Sequence, residues 1–234
     1  MPSGSVSPTW TIFHVAVEIR RGTDRFVERQ PGRLTAHAFS FGATYDPDHV
    51  RFGPMVCHDD HLLKVGQGFP AHDHGDLVIV TWVLSGAVAH SGPAGEARVE
   101  PGQAGVLRTG ERVTHAEVAA APQTRFVQVW LTASRPDEPP AYDVLTPALP
   151  PGELVRVAEP EPGAVFAVAR LDANQTLTVP ASPRTHVYVG RGALLRSSLA
   201  EPLHDGDAFL MTGEPGHVVT AGVPTELLVW SFDG

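Results

Sequence analysis

The sequence predicts an all-β protein built from two related barrel units. Three observations carry that expectation. Runs rich in β-branched and aromatic residues recur at short intervals, 22 prolines and 23 glycines punctuate them, and amphipathic helical periodicity is hard to find in the 234 residues. The runs are "LVIVTWVL" (77–84), "RFVQVWLT" (125–132), "AVFAVARL" (164–171), "HVYVG" (186–190) and "ELLVWSF" (226–232), each bounded by Gly, Pro or Asp. Only "PDEPPAYDVL" hints at a helical turn. Between the second and third runs, "SRPDEPPAYDVLTPALPPG" (134–152) carries six prolines. Proline cannot donate to a sheet ladder, so this stretch is expected to link a first unit (1–133) to a second (153–234). "VEPGQAGVLRTGERVTHAE" (99–117) and "LHDGDAFLMTGEPGHVVTA" (203–221) share a strand–turn–strand rhythm, a weak internal repeat that suggests a pair of barrels with different fates.

Composition narrows the function classes. A formal charge of −9 argues against direct nucleic-acid binding, which needs a concentrated basic surface. The one basic run (Arg20, Arg21, Arg25, Arg29, Arg33) is interleaved with Glu18, Asp24 and Glu28, and is expected to be a solvated face. Cys57 is the single cysteine, so an intrachain disulfide and a thiolate-rich zinc site are excluded, and a small buried apolar role is expected for it. The opening "MPSGSVSPTW" has no leader-like charge or apolar region, and no apolar run approaches the ~20 residues that cross a bilayer. A cytoplasmic protein without membrane contact is expected. "GQGFPA" (66–71) imitates a dinucleotide loop, but proline and two histidines follow where a helix should open. Nucleophile-elbow and phosphate-loop patterns are absent.

Four residues stand out. His72 and His74 are two apart, as are His115 and Glu117. In an extended chain, residues i and i+2 share a face, so each pair can aim two donors into one barrel interior. Three imidazoles and one carboxylate would hold one divalent transition metal and leave the complex at +1. Nitrogen and oxygen donors with open positions suit iron, and also admit manganese, nickel, copper or zinc. With 12 histidines in the chain, a chance H-x-H is unremarkable, and His115 can equally be read as a hydrogen-bonded core residue. His37, His49, His58, His61 and His90 have no partner at ligand spacing and are expected in turns or at the surface. His186, His204 and His217 lie in separate segments of the second half.

These residues resemble the pirin family, two-domain proteins of the cupin superfamily. The likeness runs through "HAFSFGATYDP" (37–47), "HDD" (58–60), "GQGFPAHDHGD" (66–76), "VLSGAVAHS" and "PGQAGVLRTGERVTHAE", covering roughly residues 33–133; beyond the linker it rests on overall pattern. The resemblance implies two tandem cupin (jelly-roll) barrels. The first would bind one metal, usually iron, through His72, His74, His115 and Glu117, and the second would be degenerate. The lack of H-x-H after residue 152 agrees with that. Two departures stand out. The family's usual glutamate four residues after the second histidine is Val78 here. By strand parity Val78 shares the face of His74, so the pocket should lose an acid. The turn before His115 reads Gly110-Glu111-Arg112-Val113, with bulky charged residues expected to alter access to the metal.

The resemblance also implies chemistry: a quercetin 2,3-dioxygenase-like reaction that opens a flavonol heterocycle with dioxygen and releases carbon monoxide. Glu117 would be the general base, its pKa raised by an apolar wall that includes Val78, and Gly68 and Phe69 would line the entrance. A small aromatic substrate and O2 are then the partners of a monomer. Two other readings remain open on sequence. One is a non-catalytic, redox-sensitive regulator that acts through a protein partner; the other is a metal-free cupin, or one with zinc closed by four ligands.

Overall fold

The computed structural model describes residues 16–233. In the first half, β1 (Ala16–Arg20) and a 3-10 turn (Gly22–Asp24) lead into β2 (Phe26–Gln30), β3 (Arg33–His37), β4 (Met55–Leu63), β5 (Gly68–His74), β6 (Leu77–Ser85), β7 (Val88–Ser91), β8 (Ala97–Val99), β9 (Ala104–Arg108), β10 (Val113–Ala119), β11 (Thr124–Thr132) and β12 (Ala141–Leu145). The second half holds β13 (Leu154–Glu161), β14 (Ala164–Leu171), β15 (Thr176–Val179), β16 (Arg184–Arg191), β17 (Ala193–Leu194), β18 (Leu203–His204), β19 (Ala208–Thr212), β20 (His217–Thr220) and β21 (Thr225–Phe232). No helix among the described residues is long and apolar enough to cross a membrane.

A seven-stranded sheet (β12-β9-β6-β11-β4-β3-β2) and a four-stranded sheet (β5-β10-β7-β8) form the first barrel. Phe126, Val83, Val88, Val99 and Ala119 fill the space between them. The second barrel pairs a six-stranded sheet (β1-β19-β16-β21-β14-β13) with the small sheets β15-β20 and β17-β18 around Val187, Val189, Leu227, Val229 and Phe209. The result is the bicupin architecture.

The strands read as unbroken apolar runs because both faces of each are buried. Along β6, Val78, Val80, Trp82 and Leu84 point out of the first barrel into a core shared with the second. Ile79, Thr81 and Val83 point inward. Strand β21 alternates the same way, with Leu228, Trp230 and Phe232 in the shared core and Leu227 and Val229 in its own barrel. The largest sheets thus pack face to face, with Phe166 edge-on to Trp82 at 5.7 Å and stacked on Trp230 at 4.8 Å. Each such side chain contributes on the order of 1.5–3 kcal/mol on burial.

Three local expectations change. The stretch 134–152 is not bare linker: its proline-free centre forms β12, which pairs with β9 and extends the first barrel's sheet, while the prolines flank it. Strand β1 crosses over and pairs with β19 in the second barrel. Of the basic run, Arg20, Arg21 and Arg25 form a clasp between barrels rather than a solvated face, while Arg29 is exposed as expected. Arg20 donates to the Ala38 carbonyl at 2.7 Å, Arg21 pairs with Asp207 at 2.8 Å, and Arg25 lies 4.7 Å over the Tyr188 ring. Arg20 and Arg25 are buried because backbone carbonyls and an aromatic face replace their water.

Candidate metal centre

Strands β5 and β10 run antiparallel, pairing His72 with His115 and His74 with Val113. On β10 the two-residue period holds: Val113, His115, Glu117 and Ala119 all face inward. On β5 the ladder slips opposite the His115–Glu117 step, so Phe69 pairs with Glu117. The extra residue lies at Pro70–Ala71, and this bulge lets Phe69 and His72, three apart, both face the interior. Asp73 points outward instead, bonded to Arg112 and Thr114. The two strands approach closely because residue 68 is glycine: a Cβ there would lie 2.1 Å from the Glu117 carbonyl oxygen.

His72, His74 and His115 converge, with one ring nitrogen of each within 4.8 Å of the others. The His72 Nδ1–H donates to the Pro70 carbonyl at 2.7 Å, which leaves its Nε2 lone pair free. Both ring nitrogens of His115 are buried without a hydrogen-bond partner. A cation bound at one of them would relieve that nitrogen's penalty, so the donor set fits a metal ion. Metal–nitrogen bonds of about 2 Å require the three rings to close in slightly. Burial and the neighbouring His72 pull His74 down to about 4. Burial, then His72, His74 and His90, pull His115 down to about 3. At neutral pH both are uncharged, the form that binds a metal.

Glu117 faces the same interior but stands outside the imidazole cluster. Its carboxylate accepts from Gln128 Nε2 at 2.8 and 3.0 Å and from Thr81 Oγ1 at 3.3 Å. The Trp130 indole N–H donates to Gln128 Oε1 at 2.8 Å, turning the amide's NH2 toward Glu117. Burial pushes the Glu117 carboxyl above its usual range, and the Gln128 bond opposes that only in part.

Val78 has no share in this environment. Asp76, with φ of 60°, ends the extended run between β5 and β6, so parity does not carry across from His74. Val78 lies in the core between the barrels. Val78 is therefore not part of the cavity wall. Glu111 and Arg112 also stay off that wall, being exposed, with Arg112 paired to Asp73.

His72, His74 and Glu117 line a cavity of about 280 Å³, with His115 behind them. Phe69, Phe41 and Trp130 supply aromatic walls, with Trp130 edge-on to His74 at 4.6 Å. Glu28, Arg33, His37 and Asp59 supply a polar wall. Gly68 is not part of the lining. Several histidines expected in turns or at the surface are buried: His37, His58, His61 and His90. His61 bonds Thr35 at 2.9 Å, His90 stacks on Tyr142 at 3.6 Å, and His58 packs against His186 across the barrel junction. His37 Nδ1 bonds Asp59 at 2.8 Å, and although burial lowers its pKa, Asp59 and Glu28 outweigh that and hold it raised. Sequence spacing could not find these partners because each lies on a different strand. Thr81 and Gln128 did leave a signal as the polar residues inside "LVIVTWVL" and "RFVQVWLT".

The family model for Pirin matches residues 20–131. A Mycobacterium tuberculosis protein named "Putative quercetin 2,3-dioxygenase" is 34% identical over 232 residues, covering 92% of this chain and 95% of that protein. An Escherichia coli quercetin 2,3-dioxygenase is 30% identical over 110 residues, 46% of this chain and 48% of its own. Among solved structures, the E. coli pirin YhhW in complex with nickel(II) superposes with a TM-score of 0.84 at 20% identity, covering 93% of this chain and 99% of that one. A quercetin 2,3-dioxygenase from Acinetobacter baumannii gives 0.72 at 17% identity, covering 92% and 85%. Kinship along nearly the full length, on a shared two-barrel fold, makes this chain a member of the pirin family.

Proposed function

We propose that the protein is a metal-dependent oxygenase that opens the heterocycle of a flavonol-like substrate with dioxygen, releasing carbon monoxide. The observation that carries this reading is a cluster of three imidazoles at one end of an aromatic-walled cavity, beside a buried carboxylate of raised pKa. The names of the relatives point the same way. His72, His74 and His115 would hold the ion, with Glu117 as the fourth ligand, and iron is the metal proposed. The nickel in the E. coli pirin is a further divalent candidate. When bound, the ion supplies Lewis acidity toward the substrate's 3-hydroxyl oxygen and a redox path to dioxygen. Phe69 and Trp130 pack the ring system and exclude water. Glu117, whose carboxyl burial raises above its ordinary range, accepts the 3-hydroxyl proton at a carboxylate oxygen. Gln128 and Thr81 then hold the carboxyl group in place.

Elemental analysis of the isolated protein, coupled to oxygen uptake with a small flavonol panel, tests the reading. One transition-metal ion per chain, with uptake matched by carbon monoxide and abolished by chelation, is expected. A fully metal-loaded protein that leaves dioxygen and every flavonol untouched would overturn it.

A further inference from the structure

The polar wall opposite the triad is organised, and the proposed chemistry at the metal makes no use of it. His37 is buried on β3, its Nδ1 bonded to Asp59 Oδ2 at 2.8 Å. That bond leaves Nε2 facing Glu28, whose carboxylate lies 3.5 Å away and is about 39% exposed. Arg33 holds the same Glu28 carboxylate at 3.4 Å and also donates to the Gly68 carbonyl, its guanidinium lying 4.5 Å over Phe69. The contacts from His37 and Arg33 to Glu28 are long, while Gln30 Nε2 donates to the Oε1 side of the carboxylate and leaves Oε2 toward His37. Asp59, in contrast, is buried and fixes the imidazole as an aspartate does in a catalytic triad.

Size makes this wall relevant. The inner cavity of about 280 Å³ falls below the usual range of roughly 300–1,000 Å³ for small-molecule sites. A second cleft of about 370 Å³ adjoins it, and the two share Glu28, His37 and Phe41. A ring system longer than the inner cavity must pass these three residues, with Phe41 stacked on His37 at 4.8 Å. A donor beside an acceptor reads a group that can both give and take a hydrogen bond. A phenolic hydroxyl does both, donating to Glu28 and accepting from the Nε2–H of protonated His37, the form that Asp59 and Glu28 favour. A carboxylate or phosphate would meet Glu28 as a like charge.

We propose that His37 and Glu28 form a second recognition point that binds a phenolic hydroxyl on the ring of the substrate remote from the metal ligands. This rests on the flavonol reading above and adds a specificity that the metal site alone does not supply: polyhydroxylated flavonols are preferred over flavonols lacking remote hydroxyls. His37 and Glu28 act as binding residues, and Asp59 as the positioning residue behind His37.

The test measures anaerobic binding of quercetin and of 3-hydroxyflavone, which lacks the remote hydroxyls, by titration calorimetry on the metal-loaded protein. Oxygen uptake is measured separately. The wild type is expected to prefer quercetin about tenfold or more, because a site built around a hydroxyl rejects the analogue without it. In Glu28→Gln and His37→Gln, checked for wild-type metal content and melting temperature, the two ligands are expected to bind within about twofold of each other. Glu28 is half-exposed, so its variant remains informative if His37→Gln fails to fold. Hydroxyl-selective binding without oxygen uptake would leave this inference standing and sink the oxygenase. Oxygen uptake with no preference, or with a preference that both variants keep, would overturn this inference alone. Failure of both ligands to bind would overturn both.

Discussion

Thr81 and Gln128 interrupt two otherwise apolar strands, and both reach the Glu117 carboxylate. A buried ionisable group of this kind is held in position by its hydrogen bonds, while burial raises its pKa. Glu117→Gln keeps the shape and retains an acceptor for Gln128 but cannot take a proton. Because Glu117 is also the proposed fourth ligand, turnover is compared at matched metal content and is expected to fall by about 10²-fold or more, as read by oxygen uptake, with the fold unchanged by circular dichroism. His74→Ala removes one of three clustered nitrogens at a half-buried position. Metal affinity is expected to drop at least 100-fold with little change in fold, measured by competition with a chelator of known affinity. Retention of one tightly bound ion in that variant would remove His74 from the ligand set.

At the scale of elements, the centre depends on how closely β5 and β10 approach. A methyl group at position 68 would meet backbone, not a side chain that could swing away: the Glu117 carbonyl at 2.1 Å and Val118 Cα at 2.8 Å. Gly68→Ala must therefore part the two strands that carry all three imidazoles. It is expected to lower both the melting temperature and the metal affinity, the latter about tenfold or more. Gly42 is the control, since its φ is +57° but nothing lies within 4 Å of a Cβ there. Gly42→Ala is expected to cost only the backbone penalty of about 1 kcal/mol and to leave metal binding intact. Equal effects of the two changes on metal affinity would show that strand spacing does not set the site. The Pro70–Ala71 bulge belongs to the same scale. It is why the H-x-H pair and Phe69 face one cavity although simple alternation would part them.

For the whole molecule, the decisive feature is a core shared between barrels. Val80, Trp82, Phe166 and Trp230 are buried by the opposite half, and Asp60, Arg125, Asp205 and Tyr188 join the halves by hydrogen bonds. A chain ending at residue 145 would expose that face and leave β1 without its partner. It is expected to aggregate, as size-exclusion chromatography would show. A soluble, monomeric first half would refute the shared-core account. Acid sensitivity also belongs here. Burial pulls His186 down to about 3 and His61 to about 4, and it holds His58 well below its usual value. Unfolded, each titrates near 6.5. Above that value neither state takes the proton, and the stability is fully present. As pH falls from 6.5 toward 4, only the unfolded chain binds protons, so stability drops by up to about 1.4 kcal/mol per pH unit for each histidine. Urea unfolding of chelated protein at pH 7, 6 and 5 should show this decline, and a flat profile would contradict it.

Much of this was legible in the residues. Strand runs and turn residues determined the all-β class, and the spacing of His72, His74, His115 and Glu117 singled out four residues that turn out to face one barrel interior. Periodicity suffices there, because alternation within one strand is a local property. It failed at Val78, where the turn at Asp76 breaks the alternation, and at the buried arginines and histidines, whose partners lie on other strands. The proline rule marked the ends of β12 but hid the strand between them. Tertiary structure alone decided which side of each doubly buried strand faces the cavity, what holds Glu117, and that His37 and Asp59 stand across from the triad. The physical reason is that a side chain's face follows from its own strand, whereas its partners, charge state and access to solvent depend on strands brought beside it by long-range pairing.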